Sequence, residues 1–447
     1  MSEIPLEVPD AERLASANDA TIEEFPRFAP VEVDWEVETI EDVDAAGREA
    51  VDGLPALEDL AAGAEIAVTA GSRGIHDFPE MIRGVIDELQ ARGYEPFVFP
   101  SMGSHGGATA EGQREKLAAF GVTEDAVGCE IRATMAVEKL GETPERGVPV
   151  YTDAAAASAD AVLPVNRVKP HTDFDGRVES GLSKMLVIGF GKQRGAKTAH
   201  DWAVDWSLRA MLPELTERLL SALPVVGGVA VVEDQHDDTA VVEGVPADAF
   251  LDREAELLER AHELMPTLPF DALDVLVVDR LGKDVSGQGM DTNVTGRRHF
   301  TVAEPEPDSP EIKRVYARAL TPATKGNAMG MGAADIVHAD VLADLDAEKS
   351  LINAITASTV RGVRLPPVVE SDRAGLTATL STCGVHDPGE VRVLRVTDTM
   401  RLQRVAASPA LVAAARERED LRVVAEPSPV EFEDGAFVAP SPDSAGE

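Results

Sequence analysis

Cysteine is nearly absent: Cys129 and Cys383 are the two in 447 residues, far apart and in no Cys-x-x-Cys spacing. A disulfide framework and a zinc–thiolate site are both excluded on that ground, and the two thiols read as small buried hydrophobes. Long apolar runs are absent too, none approaching the 18 or more residues that a membrane-spanning helix needs, so no membrane partner is expected. The first ten residues are acidic and carry no basic-then-apolar leader, which reads as a cytoplasmic protein. Basic residues are scarce, 41 against 80 acidic ones, and only ten of them are lysine. A formal charge of −39 spread along the whole chain excludes nucleic acid as a partner and opposes compaction in dilute buffer. Such a surface suits molar salt, where the screening length falls to roughly 3 Å, so the chain reads as adapted to high salt.

What is present is a 44% hydrophobic composition and a length beyond that of a single core, so two domains are expected. Residues 2–60 are acidic and read as an irregular arm with one or two strands. A regular beat follows: a strand at 65–69, a helix at 78–92 stopped by Gly93, a strand at 95–100, a helix at 110–120 stopped by Gly121, and a strand at 161–165. A helix at 206–223, a strand at 225–233 and a helix at 252–265 continue it, before the Pro266–Pro269 segment interrupts. A new strand opens at Leu273. The reading is α/β, with domains at 1–268 and 269–425, each a mostly parallel sheet flanked by helices, an active site in the cleft between them, and an acidic Pro/Ser-rich tail at 426–447.

Ligands in open α/β sheets bind beyond the carboxyl ends of the strands, so the strand-end loops are where a site is expected. The first strand is followed by Gly71-Ser-Arg-Gly74 and the second by Met102-Gly-Ser-His-Gly-Gly-Ala-Thr109. The third is followed by Asn166-Arg-Val-Lys-Pro-His171, and the strand opening the second domain by residues 282–293. Each loop joins glycine with His, Arg, Lys or Asp. Any one is an ordinary turn composition; together they point to a site. Three of the nine histidines, His105, His171 and His200, fall in this region. Imidazoles on two faces of a substrate can exchange roles as general base and acid, and a third can stay neutral as a metal ligand, although a lone loop histidine is more often a cap or a solvated residue. Between the second and third lies Gly181-Leu-Ser-Lys-Met-Leu-Val-Ile-Gly-Phe-Gly-Lys-Gln-Arg-Gly195, able to cradle a phosphate but matching neither the dinucleotide fingerprint nor the Walker pattern. Lys184, beside Ser183 and an apolar run, could be desolvated into a nucleophile or could snorkel from a surface helix.

In order and spacing, Ser72-Arg73, Ser104-His105, Pro170-His171, Ser183-Lys184 and Ala199-His200 resemble the active-site series of the nickel-pincer lactate racemase family, from about residue 60 to 300 and more loosely to about 400. The resemblance implies a racemase or epimerase of a 2-hydroxy acid. It implies, too, a nickel-pincer nucleotide, a pyridinium mononucleotide with thioamide and thioacid groups that is joined to a lysine and holds nickel. By the same resemblance Lys184, with Ser180, Gly181 and Ser183, would bind the cofactor, and His200 would complete the nickel site. His105 and His171 would be the acid/base pair, and Arg73 with Ser72 would grip the substrate carboxylate, a task suited to a bidentate guanidinium. A C–H bond beside a hydroxyl is poorly acidic. Removing hydride while histidine takes the hydroxyl proton gives a 2-keto acid, and return of the hydride to the other face inverts the centre.

This chain departs from the family at Ala70 and Gly71, where lactate racemases carry an acidic residue, and in the spacing from His171 to Lys184. The second-domain loop lacks the family's Gln and Lys and offers Lys283, Asp284, Ser286, Asp291 and Asn293, of which Lys283, Asp291 and Asn293 are taken as substrate contacts. The substrate is therefore expected to be lactate or a related hydroxy acid, larger or more polar, and the protein to be capable of oligomerising. Two alternatives remain at this point: a nicotinamide-dependent 2-hydroxy acid dehydrogenase, and a non-catalytic nickel or cofactor carrier.

Overall fold

In the strand Glu65–Ala70, Ile66, Val68 and Ala70 enter one apolar core and Ala67 the opposite one; in Glu95–Pro100, Val98 joins the first and Phe97 and Phe99 the second. A period of two with apolar residues on both faces is the pattern of a strand buried between helix layers. These strands are parallel and in register from Glu65↔Glu95 to Ala70↔Pro100, and Ala161–Leu163 pairs in parallel along the other edge of Glu65–Ala70. Pro164 then interrupts the pairing. The Thr69 hydroxyl bridges the gap, accepting from the Val165 amide at 2.8 Å and donating to the Val165 carbonyl at 3.0 Å. The run resumes as Val165–Arg167, parallel to Gly227–Glu233, which in turn pairs antiparallel with Thr239–Pro246. All five parallel segments thus place their carboxyl ends on one side.

The computed structural model describes residues 8–17, 24–35, 37, 39–71, 75–298 and 305–442. It is α/β and divides into two compact units: Val37–Met265, just outlined, and Pro266–Glu447 together with Met1–Glu36. The second unit holds an eight-stranded sheet. Its strand Ala272–Leu281 lies parallel to Glu311–Leu320 and to Val393–Val396, and the parallel series continues through Ile336–His338 to Val368–Val369. On the other edge Arg404–Ala407 turns antiparallel, followed by Ala29–Val33 and Leu421–Val423. Among the described residues, no helix is long and apolar enough to cross a membrane.

Three expectations need correction. The acidic arm contains an expected strand, Ala29–Val33, which is interior to the eight-stranded sheet, but its remainder is not irregular: Val43–Asp52 is a helix whose first turn is capped by Asp42, accepting from Ala45 N at 3.0 Å. Gly47 and the acids Asp44, Glu49 and Asp52 concealed that helix in the sequence. Residues 431–439 are not a loose tail but a hairpin, Glu431–Glu433 against Ala436–Ala439, anchored by the buried ring of Phe437. The glycine- and lysine-rich run at 181–195 is helical for most of its length rather than a phosphate cradle.

Candidate active site

That run begins with the short helix Leu182–Lys184, continues as a π-helical turn over Met185–Gly189, and passes through Gly191 into the helix Lys192–Trp206, which carries His200. The π turn is closed by Phe190 N donating to Met185 O at 3.0 Å. Such turns interrupt the regular ladder and recur at functional sites.

The start of the Lys184 turn is gripped from below by Glu254, a fully buried carboxyl on the helix Phe250–Leu264. Ser183 N donates to Glu254 Oε1 and Oε2 at 3.1 and 3.0 Å, and the Ser183 hydroxyl donates to Oε2. Gly181 is required here because a Cβ would sit 2.1 Å from Glu254 Oε1. The Gly181 carbonyl accepts from Asn166 Nδ2 at 2.9 Å, and Ser180 pairs through its backbone with Lys169. The structure therefore uses Ser180, Gly181 and Ser183 to seat the lysine turn on its neighbours, and the Ser183 side chain faces the interior.

Burial pushes the Glu254 carboxyl up to about 7, against the opposing pull of the Ser183 hydroxyl and the Ser183 and Leu182 amides. A carboxyl held higher in the folded state than in the open chain favours folding most at low pH. That advantage is lost as pH rises from the ordinary glutamate range through 7. Glu254→Gln is expected to remove this dependence, so that between pH 5 and 8 wild type loses up to about 3 kcal/mol relative to the variant. Parallel unfolding curves across that window would contradict the assignment.

His200 is half-buried, and burial lowers its basicity, with the nearby Lys184 charge acting in the same direction. Its bond to the Ala196 backbone and the charges of Asp173 and Asp201 pull the other way without reversing the shift. Neutral imidazole is the form that ligates a metal. Lys184, His200 and Asp173 thus share one electrostatic neighbourhood.

His171 is 8% exposed and lies in the loop between Lys169 and Ser180. The buried carboxylate of Glu179 braces that loop by accepting from His171 N at 2.5 Å and Gly176 N at 3.0 Å. The His171 ring packs on Phe174, centroids 4.6 Å apart, and its Nδ1 accepts from Asp173 N at 3.0 Å. A neutral ring bonded in this way carries its proton on Nε2.

His105 is exposed on the turn after the strand Glu95–Pro100. That turn is docked on the lysine segment, Gly103 N donating to Gly189 O at 3.2 Å. Gly71, ending the strand Glu65–Ala70, lies against Met185 and Asn166. The ends of three parallel strands and the 182–206 segment therefore meet, bringing the His105 and His171 loops, Lys184 and His200 to one side of the sheet.

Ser72 and Arg73 lie outside the described residues. Lys283, Asp291 and Asn293 belong to the other unit, at the carboxyl end of the strand Ala272–Leu281. There Asp291 caps the helix Thr292–Thr295 by accepting from Asn293 N at 2.9 Å, and Asn293 Oδ1 accepts from Arg298 Nη2 at 2.7 Å. Lys283 N donates to the Thr324 hydroxyl at 3.3 Å. The Asp291 and Asn293 side chains are thus engaged in building their own loop.

Sequence reasoning missed Glu254, Glu179, Asp153 and Gln113, and did not foresee that Lys192 would be buried. Glu254 had a signal: it interrupts the apolar stripe Leu251, Leu258, Ala261 of its helix, where an acid should not be unless something holds it. Among the described residues, no three His, Cys, Asp or Glu side chains converge as a metal site. The Cys129 thiol, pushed up to about 11 by burial, is no candidate thiolate.

No family model matches the chain, and no curated protein does. Among solved structures, the lactate racemase apoprotein from Thermoanaerobacterium thermosaccharolyticum is similar over 89% of this chain and 86% of that one, at 12% identity and a TM-score of 0.44. Neither value bears on chemistry.

Proposed function

We propose that the protein is an isomerase, a racemase or epimerase of a 2-hydroxy acid that works with a nickel-pincer nucleotide. The observation that carries this reading is the placement of Lys184 and His200 on one helical segment at the strand ends, with burial and the Lys184 charge both lowering the basicity of His200. A metal bound through a single imidazole needs further donors, and the chain's own described side chains offer no cluster of them. A group attached to the neighbouring amine would supply those donors, which is the arrangement a lysine-linked pincer requires. Lys184 would hold the nucleotide and His200 would complete the metal's coordination. When bound, the group would supply a hydride acceptor for the carbinol carbon.

Proton exchange with the substrate hydroxyl falls to His105 and His171. In the geometry seen, proton uptake at His171 Nδ1 breaks its bond to the Asp173 amide, so protonation at this ring is coupled to the 171–173 turn. The bracing of that loop by Glu179 keeps the ring in place while the bond is exchanged. Arg73 is the sequence's candidate for the substrate carboxylate.

Hydride transfer returns the carbinol hydrogen to the molecule it left. Protein from its native cell, given single enantiomers of 2-hydroxy acids beginning with lactate in heavy water, is expected to racemise one of them and leave the carbinol position largely undeuterated. Extensive deuterium at that carbon would instead identify a carbanion route through the histidines. A strict requirement for added NAD would identify a dehydrogenase.

A further inference from the structure

The fully buried ion pair of Lys192 and Asp153, 2.8 Å apart at 1% and 0% side-chain exposure, has no part in the chemistry proposed above. Burying such a pair is costly unless its charges find further hydrogen bonds, and here the lysine N–H groups find two acceptors beyond the carboxylate. Besides Asp153 they reach the Pro100 carbonyl, at the end of the strand Glu95–Pro100, and Gln113 Oε1 at 3.2 Å. Gln113 is itself fully buried on the helix Ala110–Ala119. With its oxygen facing the ammonium, its Nε2 donates to the Gly103 carbonyl at 3.0 Å and the His105 carbonyl at 3.3 Å. The reverse amide orientation would oppose donor to donor and acceptor to acceptor, so the lysine dictates which way the amide points.

The backbone around this chain is shaped to admit it. Lys192 has φ 51°, in the left-handed region that a lysine rarely enters. Gly106 and Gly112 let the turn lie on the first turn of the Gln113 helix, since a Cβ on Gly112 would come 2.1 Å from Gly106 O. A buried ammonium, a disfavoured backbone angle and a glycine contact thus converge on one outcome, a defined path for residues 101–105.

We propose that Asp153, Lys192 and Gln113 are positioning residues for His105: the carboxylate orients the ammonium, the ammonium orients the amide, and the amide fixes the turn that carries the histidine. The proposal rests on the reading of His105 as an acid/base group. None of the three side chains is assigned contact with substrate or cofactor.

The test is amide hydrogen exchange on the full chain, which needs neither cofactor nor substrate, paired with kinetics of the natively loaded enzyme. Gln113→Met fills the same space without either bond. Gln113→Glu keeps an acceptor for Lys192 but cannot donate to the two carbonyls. Both are expected to speed exchange of the 103–108 amides by about tenfold while the helix Leu208–Ala222 stays within about twofold of wild type. In the loaded enzyme both should lower kcat by about 10²-fold with KM little changed, the mark of a misplaced acid/base group. Lys192→Met should reproduce the exchange effect if it folds. Unchanged exchange at 103–108 in both Gln113 variants would overturn the proposal, whatever the activity. Faster exchange with normal turnover would leave the positioning chain standing and remove His105 from the reaction, so the two ideas fail separately.

Discussion

Lys184→Ala, made in the native cell, is expected to yield a protein of unmodified intact mass, without nickel and without measurable turnover of any hydroxy acid. The amine is the only nucleophile in the reading to which the nucleotide can be joined, so its loss removes the cofactor rather than weakening it. Lys184→Arg makes the test sharper. It retains a positive charge beside His200 but presents a guanidinium that stays protonated and does not attack, so it should lose mass and metal as completely as alanine does. The two variants should differ at His200. The Lys184 charge lowers the basicity of that imidazole, so alanine should raise it and arginine should leave it depressed, as followed by NMR titration of the ring. Nickel at the wild-type level in either variant would end the cofactor assignment. An unshifted His200 titration in Lys184→Ala would remove the electrostatic neighbourhood on which it stands.

Asp372→Ala is expected to damage the other unit strongly, lowering its stability by about 3–5 kcal/mol, the usual cost of removing one partner from a buried, hydrogen-bonded ion pair. Asp372 is 2% exposed and accepts from Tyr316 Oη at 2.7 Å, from Arg318 Nε at 2.9 Å and from Phe437 N at 2.7 Å. Burial works against its charge, but the Arg318 guanidinium, the Phe437 amide and the Tyr316 hydroxyl hold the carboxyl below the usual range. Its contribution is therefore present above the ordinary aspartate range and lost as pH falls through the depressed value. Arg318 reaches on to Asp279 at 2.6 Å, which also takes Arg395 at 2.9 Å, and Arg395 packs on the Phe437 ring and donates to the Phe437 and Pro440 carbonyls. The network thus fastens the carboxy-terminal hairpin to the sheet. Hydrogen exchange over 431–439 should rise sharply in Asp372→Ala, while Asp372→Asn, which keeps an acceptor, should lose less. A loss under about 1 kcal/mol with the hairpin still protected would show the network to be dispensable.

Much of the alternation was legible because it obeys local rules. Strand 95–100 is a run of apolar residues closed by proline, helix 78–91 has an apolar face and a glycine behind it, and both are where their periodicity placed them. The helix Val43–Asp52 was not legible because its buried stripe, Val43, Gly47, Ala50 and Val51, is made mostly of small residues. The hairpin at 431–439 was hidden for a different reason: its composition is that of a solvated tail, and it is ordered by Arg318 and Arg395, more than forty residues away in sequence.

The sequence by itself determined the α/β class, the strand-end loops that carry His105 and His171, and the presence of Lys184 and His200 on one continuous segment, because periodicity, turn chemistry and residue type act over short stretches of chain. Only the tertiary structure decided that Ser183 turns inward to Glu254 rather than outward, that Lys192 is buried with Asp153 instead of serving a phosphate, that Gln113 meets the carbonyl of His105, and that the first strand belongs with the last ones. Each of those depends on a partner 8 to 390 residues distant. A buried polar group must find such a partner or be excluded from the interior, and nothing in its immediate neighbours says which partner that will be.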